Sequence, residues 1–240
     1  MKLTQKIFKQ SFYMGMIVLL PTYLFFGSFI ISALFQLIMN SFPLSIDSAD
    51  MNAYFNFFFD LILTVFAIVV FKNEFVIQFK NFKKSNKTEF INNVVLGIPV
   101  LYGASIIGNV LSMILTGDIS SSENQIMVEE MIKQMPILMI ITVTVLAPIL
   151  EETVFRLLLF TGFYERGRWF AYLLSAGLFG LLHVYQPMLE GNFLEILKIF
   201  PYLFMGIGLC YIYERSDNIL APIFCHGIIN GISVMIMIFM

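Results

Sequence analysis

Apolar residues run through this chain in long stretches separated by short polar connections. A bilayer core takes about 20 apolar residues per helix. That ruler marks candidate spans at 12–39, 53–71, 91–116, 136–162, 169–186, 196–213 and 219–238. The pattern predicts an all-α fold, a polytopic transmembrane helical bundle of about seven spans. It forms a single integral membrane domain over 1–240, with no internal repeat, soluble domain or low-complexity tail. The first apolar stretch follows Lys2, Lys6 and Lys9, as a signal peptide would, but it extends from Ser11 to Asn40. A signal h-region is roughly 7–15 residues long, and no small-x-small cleavage site follows, so the stretch reads as a retained span.

The connections carry the polar residues, and their lysines and arginines give an orientation, because these accumulate on the cytoplasmic side. The N-terminal lysines are followed by Ser41–Asn52, which has none. Lys72, Lys80, Lys83, Lys84 and Lys87 come next, then Gly117–Met135 with Lys133 alone beside Asp118, Glu123, Glu129 and Glu130. Arg166 and Arg168, then Lys198 with two glutamates, then Arg215 complete the series. Basic and basic-poor connections alternate, as seven crossings with a cytoplasmic N-terminus and an outside C-terminus require. Glu74–Lys87 mixes Phe75, Phe79 and Phe82 with lysines, which suits a helix on an anionic leaflet. Met127, Val128, Met131, Ile132 and Met135 form one stripe of a second surface helix.

Composition agrees. Of 240 residues, 59% are hydrophobic and 12% charged, against about 25% charged in soluble domains. A water-soluble globule of this size could not hide so much apolar surface. The net charge of −2 gives no electrostatic footprint for nucleic acid. Cys210 and Cys225 lie in apolar segments without CxxC spacing and read as packing residues.

Against that background, charged groups inside spans stand out, since each costs roughly 2.5–3.5 kcal/mol near the centre. The fourth span carries Glu151, Glu152 and Arg156, the fifth His183, and the seventh His226 and Asn230. Glu152 and Arg156 are i, i+4 neighbours with the acid first, the favourable order for a structural ion pair. Glu151 is rotated about 100° away, which leaves it available as a base. His226 and Asn230 share one face of the last helix. Counted at 1.5 Å per residue, Glu151, His183 and His226 lie about 16, 21 and 10 Å from the cytoplasmic ends of their spans, so the three can converge. Asp60, with Asn56 one turn before it, reads as an interfacial or packing acid. Gly177, Gly180, Gly227 and Gly231 read as sites of close helix approach.

A carboxylate, two imidazoles and an amide suit peptide-bond hydrolysis. Glu151 and His183 bind and deprotonate a water in one reading, while His226 and Asn230 stabilise the oxyanion. In the other, Glu151, His183 and His226 form a catalytic Zn²⁺ shell with one open position.

Glu151-Glu152-x-x-x-Arg156, Phe179-x-x-x-His183 and His226-x-x-x-Asn230 together resemble the three motifs of the CAAX-protease and bacteriocin-processing (CPBP, or Abi) family of intramembrane proteases. The resemblance covers the last hundred residues or so, in order, spacing and span placement, and marks 136–240 as a catalytic core. It implies endopeptidase activity with the first glutamate as general base, His183 on the water, and His226 with Asn230 at the oxyanion. The family is often labelled metalloprotease, although a metal-free glutamate mechanism has been argued for members.

The expected substrate is a membrane-associated peptide or protein: a CAAX-type terminus, a bacteriocin or a pheromone leader. The bias to Ile, Phe, Lys and Asn suits an AT-rich bacterial genome and favours the leaders. A proton-coupled transporter would also carry buried acids and histidines, but transporters are often longer and built of repeats. A non-catalytic immunity or scaffold protein would have no need of the complete motif set.

Overall fold

The computed structural model describes residue 3, residues 5–41 and residues 48–239, and every regular element among them is helical. In lipid a spanning segment must satisfy its own backbone groups, and a helix does so. The elements are α1 (9–41), α2 (Ser48–Val70), α3 (Lys72–Lys84), α4 (Lys87–Thr116), α5 (Glu123–Gln134), α6 (Pro136–Tyr164), α7 (Arg168–Leu182), α8 (Tyr185–Leu189), α9 (Phe200–Ser216) and α10 (Leu220–Phe239). Lys2 and residues 42–47, within the expected Ser41–Asn52 connection, lie outside the described residues.

Among the described residues, five helices are long and apolar enough to cross a membrane: α2, α4, α6, α9 with its lead-in from Phe193, and α10. The remaining two expected spans fall on α1 and on α7. With 15 residues, α7 is about 22 Å long, short of a bilayer core of about 30 Å. The expected span 169–186 is in fact broken at His183. Its ring Nδ1 lies 2.8 Å from the Phe179 carbonyl and its backbone N–H has tightened onto Gly180, which ends the helix.

α6 is the core helix. Half of its apolar stretch is buried inside the bundle, against 17–28% for the other four. Two of its segments, Thr142–Leu146 and Glu152–Phe160, are wound as π-helix, a geometry that recurs at functional sites. Pro148 has no N–H and so cannot bond the Thr144 carbonyl one turn back. Carbonyls along these segments are instead met by side chains. Asn230 Nδ2 donates to Val143, Thr64 Oγ1 to Leu146, Ser175 Oγ to Phe155 and Thr161 Oγ1 to Arg156, at 2.8, 3.1, 2.7 and 3.1 Å. Three of these four donors come from other helices, so the irregular winding also locks α6 to its neighbours.

The connections sort to two ends. At one, Gln5 bonds Asp217 (2.8 Å), the Phe8 N–H bonds Glu74 (3.0 Å) and Arg168 pairs with Glu214 (2.7 Å). At the other, the Glu123 N–H bonds Glu195 (2.7 Å) and Lys198 faces Asp118 (3.7 Å). Among the described residues, the basic connections thus share one end and the basic-poor ones the other. The two connections expected to be structured are helical, as α3 and α5. α3 buries Glu74, Phe75 and Gln78, and α5 buries Ile132. Both cysteines are buried.

Candidate active site

The site forms where α6, α7 and α10 meet, and the packing of α10 on α6 sets its depth. A Cβ built on Gly227 would lie 2.5 Å from the Thr144 carbonyl oxygen, the same oxygen that Pro148 leaves without its helical donor. Only glycine lets the two helices approach there. Gly180 does the same against Ile199 and Leu203. The other two expected contact glycines differ: Gly177 faces open space and Gly231 makes only ordinary contact with Thr144, because neither points at a neighbouring backbone.

Glu152, Arg156 and His226 form the innermost layer. Glu152 and Arg156 are fully buried and His226 is 2% exposed. Glu152 Oε1 accepts from Arg156 Nη1 at 3.0 Å and faces His226 Nδ1 at 2.9 Å. The Arg156 Nη2 donates to the Gly206 carbonyl at 3.2 Å, and its guanidinium lies 4.5 Å from the Phe179 ring. A carboxylate accepts, so Nδ1 of His226 carries a proton and the ring is held with Nε2 outward.

That Nε2 lies 3.7 Å from Glu151 Oε2. The distance is too long for a direct hydrogen bond but allows one water to touch both atoms. Glu151 is 8% exposed, and its Oε2 has no hydrogen-bond partner among the described residues. A buried acceptor left open is costly, so this oxygen is poised for a ligand. Its other oxygen, Oε1, accepts from the Tyr23 hydroxyl at 3.4 Å.

His183, at the end of α7, lies within electrostatic reach of Glu151 and His226. A carbonyl only accepts, so its Nδ1 carries a proton toward Phe179 and Nε2 is free in the neutral ring. Its ring stacks on Tyr202, with centroids 4.3 Å apart and planes 19° from parallel, and the Tyr202 hydroxyl is 2.5 Å from Ser122 Oγ. Asn230 follows His226 on the same face, but its Nδ2 is engaged by Val143 (2.8 Å), leaving the second amide N–H for other use.

The residues named for a zinc shell do not meet as one. No three His, Cys, Asp or Glu side chains among the described residues gather closely enough to hold an ion, although His183 and His226 each keep Nε2 available. As arranged, the donor set does not fit a three-ligand metal.

Sequence reasoning missed Tyr23 and Tyr202, since neither belongs to a charged or motif position. It singled out Asp60 but as interfacial or packing. The structure buries Asp60 to 9% exposure within electrostatic reach of both Glu151 and Tyr23.

Comparison with known proteins bears directly on this layout. Residues 133–232 match the family model "Type II CAAX prenyl endopeptidase Rce1-like". The chain is also 34% identical over 110 residues to a Bacillus subtilis (strain 168) protein named "Putative membrane peptidase YdiL". That alignment takes in 45% of this chain and 41% of the Bacillus protein, so the chain covers well under two thirds of its relative. No solved structure matches. The matched region holds all three motifs, while α1, α2, α3 and α4 lie outside it.

Proposed function

We propose, on the premise that residues 133–232 belong to the Rce1-like family within the CAAX-protease (CPBP) group, that this membrane protein is an intramembrane endopeptidase. The observation that carries the reading is the facing pair, Glu151 Oε2 and His226 Nε2, 3.7 Å apart and buried, with the carboxylate oxygen unpartnered among the described residues. Water held there would lose a proton to Glu151 as its oxygen adds to the scissile carbonyl carbon. His183 Nε2 would accept the water's second hydrogen and fix its direction. The developing oxyanion would be met at Nε2 of His226, when that nitrogen carries a proton, and by the second N–H of Asn230. Breakage of the C–N bond then passes the proton from Glu151 to the leaving amine. Glu152 acts by orienting His226 and neutralising Arg156. Exclusion of bulk water strengthens each of these terms.

No step here needs a metal. The substrate class is a membrane-associated peptide or protein, and a bacteriocin or pheromone leader suits the bacterial residue usage better than a prenylated CAAX terminus. The alternating basic connections support a multi-pass cell-membrane protein with its N-terminus in the cytoplasm and its C-terminus outside.

Comparative peptidomics of cells carrying wild type or Glu151→Ala tests the reading. Peptides present with the wild type and absent with the variant, at equal protein level, are the expected result. Identical peptidomes would overturn it.

A further inference from the structure

The N-terminal helix α1 reaches the reactive glutamate. Tyr23 is 8% exposed and its ring is fixed by Phe59 of α2 and Phe155 of α6, each at a centroid distance of 6.3 Å. It sits in Thr22–Phe26, a π-wound segment that follows Pro21. A proline and a widened turn re-aim the side chains that follow, and here the hydroxyl is brought to Glu151 Oε1 at 3.4 Å.

The two oxygens of Glu151 are therefore not equivalent. Oε1 has a hydroxyl donor, while Oε2 has none and faces His226. Asp60, from α2, puts a second buried acid within electrostatic reach of both Tyr23 and Glu151.

We infer that Tyr23 is a positioning residue of the active site: it holds Glu151 by Oε1 so that Oε2 is the oxygen that takes the proton. The inference rests on the peptidase reading for its consequence, but the contact itself can be tested without activity. On this view the segment before the family-matched region is part of the site and not only a membrane anchor. A free carboxyl group beside a water would swing about its last torsion, and a donor on one oxygen removes that freedom, as groups that orient a reacting ligand do elsewhere.

Tyr23→Phe removes the hydroxyl and keeps the ring against Phe59 and Phe155. Infrared difference spectroscopy of purified wild type against Glu151→Gln assigns the Glu151 carboxyl bands. In Tyr23→Phe those bands should move, while Tm stays at the wild-type value. With a fluorogenic peptide built on a cleavage sequence from the peptidomics, kcat should fall on the order of 10–100-fold, the range for lost orienting partners, with KM unchanged. Adding Tyr23→Phe to Glu151→Asp should cost less than it costs wild type, since the shortened acid has already lost the contact. Unmoved carboxyl bands would overturn the inference even for an active peptidase, and so would an unchanged kcat. A lowered Tm with additive losses in the double variant would mark Tyr23 as packing alone and also overturn it. If the wild type cleaves nothing, the peptidase reading fails, and the infrared bands alone decide the contact.

Discussion

Glu152 Oε1 is shared: Arg156 Nη1 donates to it at 3.0 Å from one side, and His226 Nδ1 stands 2.9 Å away on the other. One oxygen thus ties a helical i, i+4 pair to a helix 74 residues further along the chain. The pair is fully buried, and a buried arginine that loses its counter-charge costs about 3–5 kcal/mol. Glu152→Gln is expected to lower Tm by several degrees and activity with it, because His226 loses its orienting partner as well. Glu151→Gln should leave Tm unchanged and activity lost, since that carboxylate is not the partner of the buried arginine and stands 3.7 Å from its nearest cation, His226. Scanning calorimetry in detergent beside a peptide assay separates the two. Equal melting behaviour would remove the distinction between their roles.

The contact between Gly227 and the Thr144 carbonyl gives a second expectation. A methyl group at 227 would meet that oxygen at 2.5 Å, and the obstacle is backbone, not a flexible side-chain end. Overpacking of this sort costs about 1–3 kcal/mol, and relief requires α10 to move off α6. Gly227→Ala should therefore reduce both Tm and kcat. Gly177→Ala, at a position facing open space, should leave both at the wild-type level. Parallel melts and rates of the two variants check this.

Much of the bundle was legible in the sequence because hydropathy reports where lipid must be. The Glu152–Arg156 pair follows from spacing alone, since a helix sets i and i+4 side by side. The link from Glu152 to His226 was not legible, because it depends on how two helices are rotated about their axes. That rotation is set by the π-wound segments and by the contact of Gly227 with the Thr144 carbonyl, none of which alters hydropathy. Tyr23 escaped for the same reason: an uncharged aromatic in an apolar run carries no signal until Pro21 and the winding after it aim the hydroxyl. His183 was expected inside a span and ends its helix instead, through a ring-to-carbonyl contact that no periodicity reports.

The sorting of connections to two ends leads to a topology test. Residues 71–87 share an end with the N-terminal segment and with Asn218, whereas Glu123 and Glu195 share the other. The lysine-rich end should be cytoplasmic. In a cysteine-free background, an impermeant maleimide added to intact cells should label Ser121→Cys, which is exposed at the basic-poor end, and leave Ser85→Cys unlabelled. The reverse pattern would invert the orientation.

Metal dependence is the remaining discriminating measurement. A zinc shell of Glu151, His183 and His226 would need each to turn a lone pair to one point, and zinc–nitrogen and zinc–oxygen bonds are about 2.0–2.2 Å. Glu151 Oε2 and His226 Nε2, 3.7 Å apart, could both reach an ion between them. His183 would then have to bring its Nε2 to the same point, and the three side chains do not gather there. Asn230, the other polar group of the last motif, is a poor zinc ligand and is engaged by Val143. A glutamate-activated water needs only two groups already present, an open carboxylate oxygen and a facing imidazole. The purified protein is therefore expected to carry no stoichiometric metal by elemental analysis and to keep its activity after treatment with a strong chelator. His183→Ala should lower kcat without changing metal content. One zinc per chain, lost in His183→Ala and restoring activity when added back to the chelated wild type, would replace the glutamate-activated water with a metal-bound one and leave the peptidase reading standing.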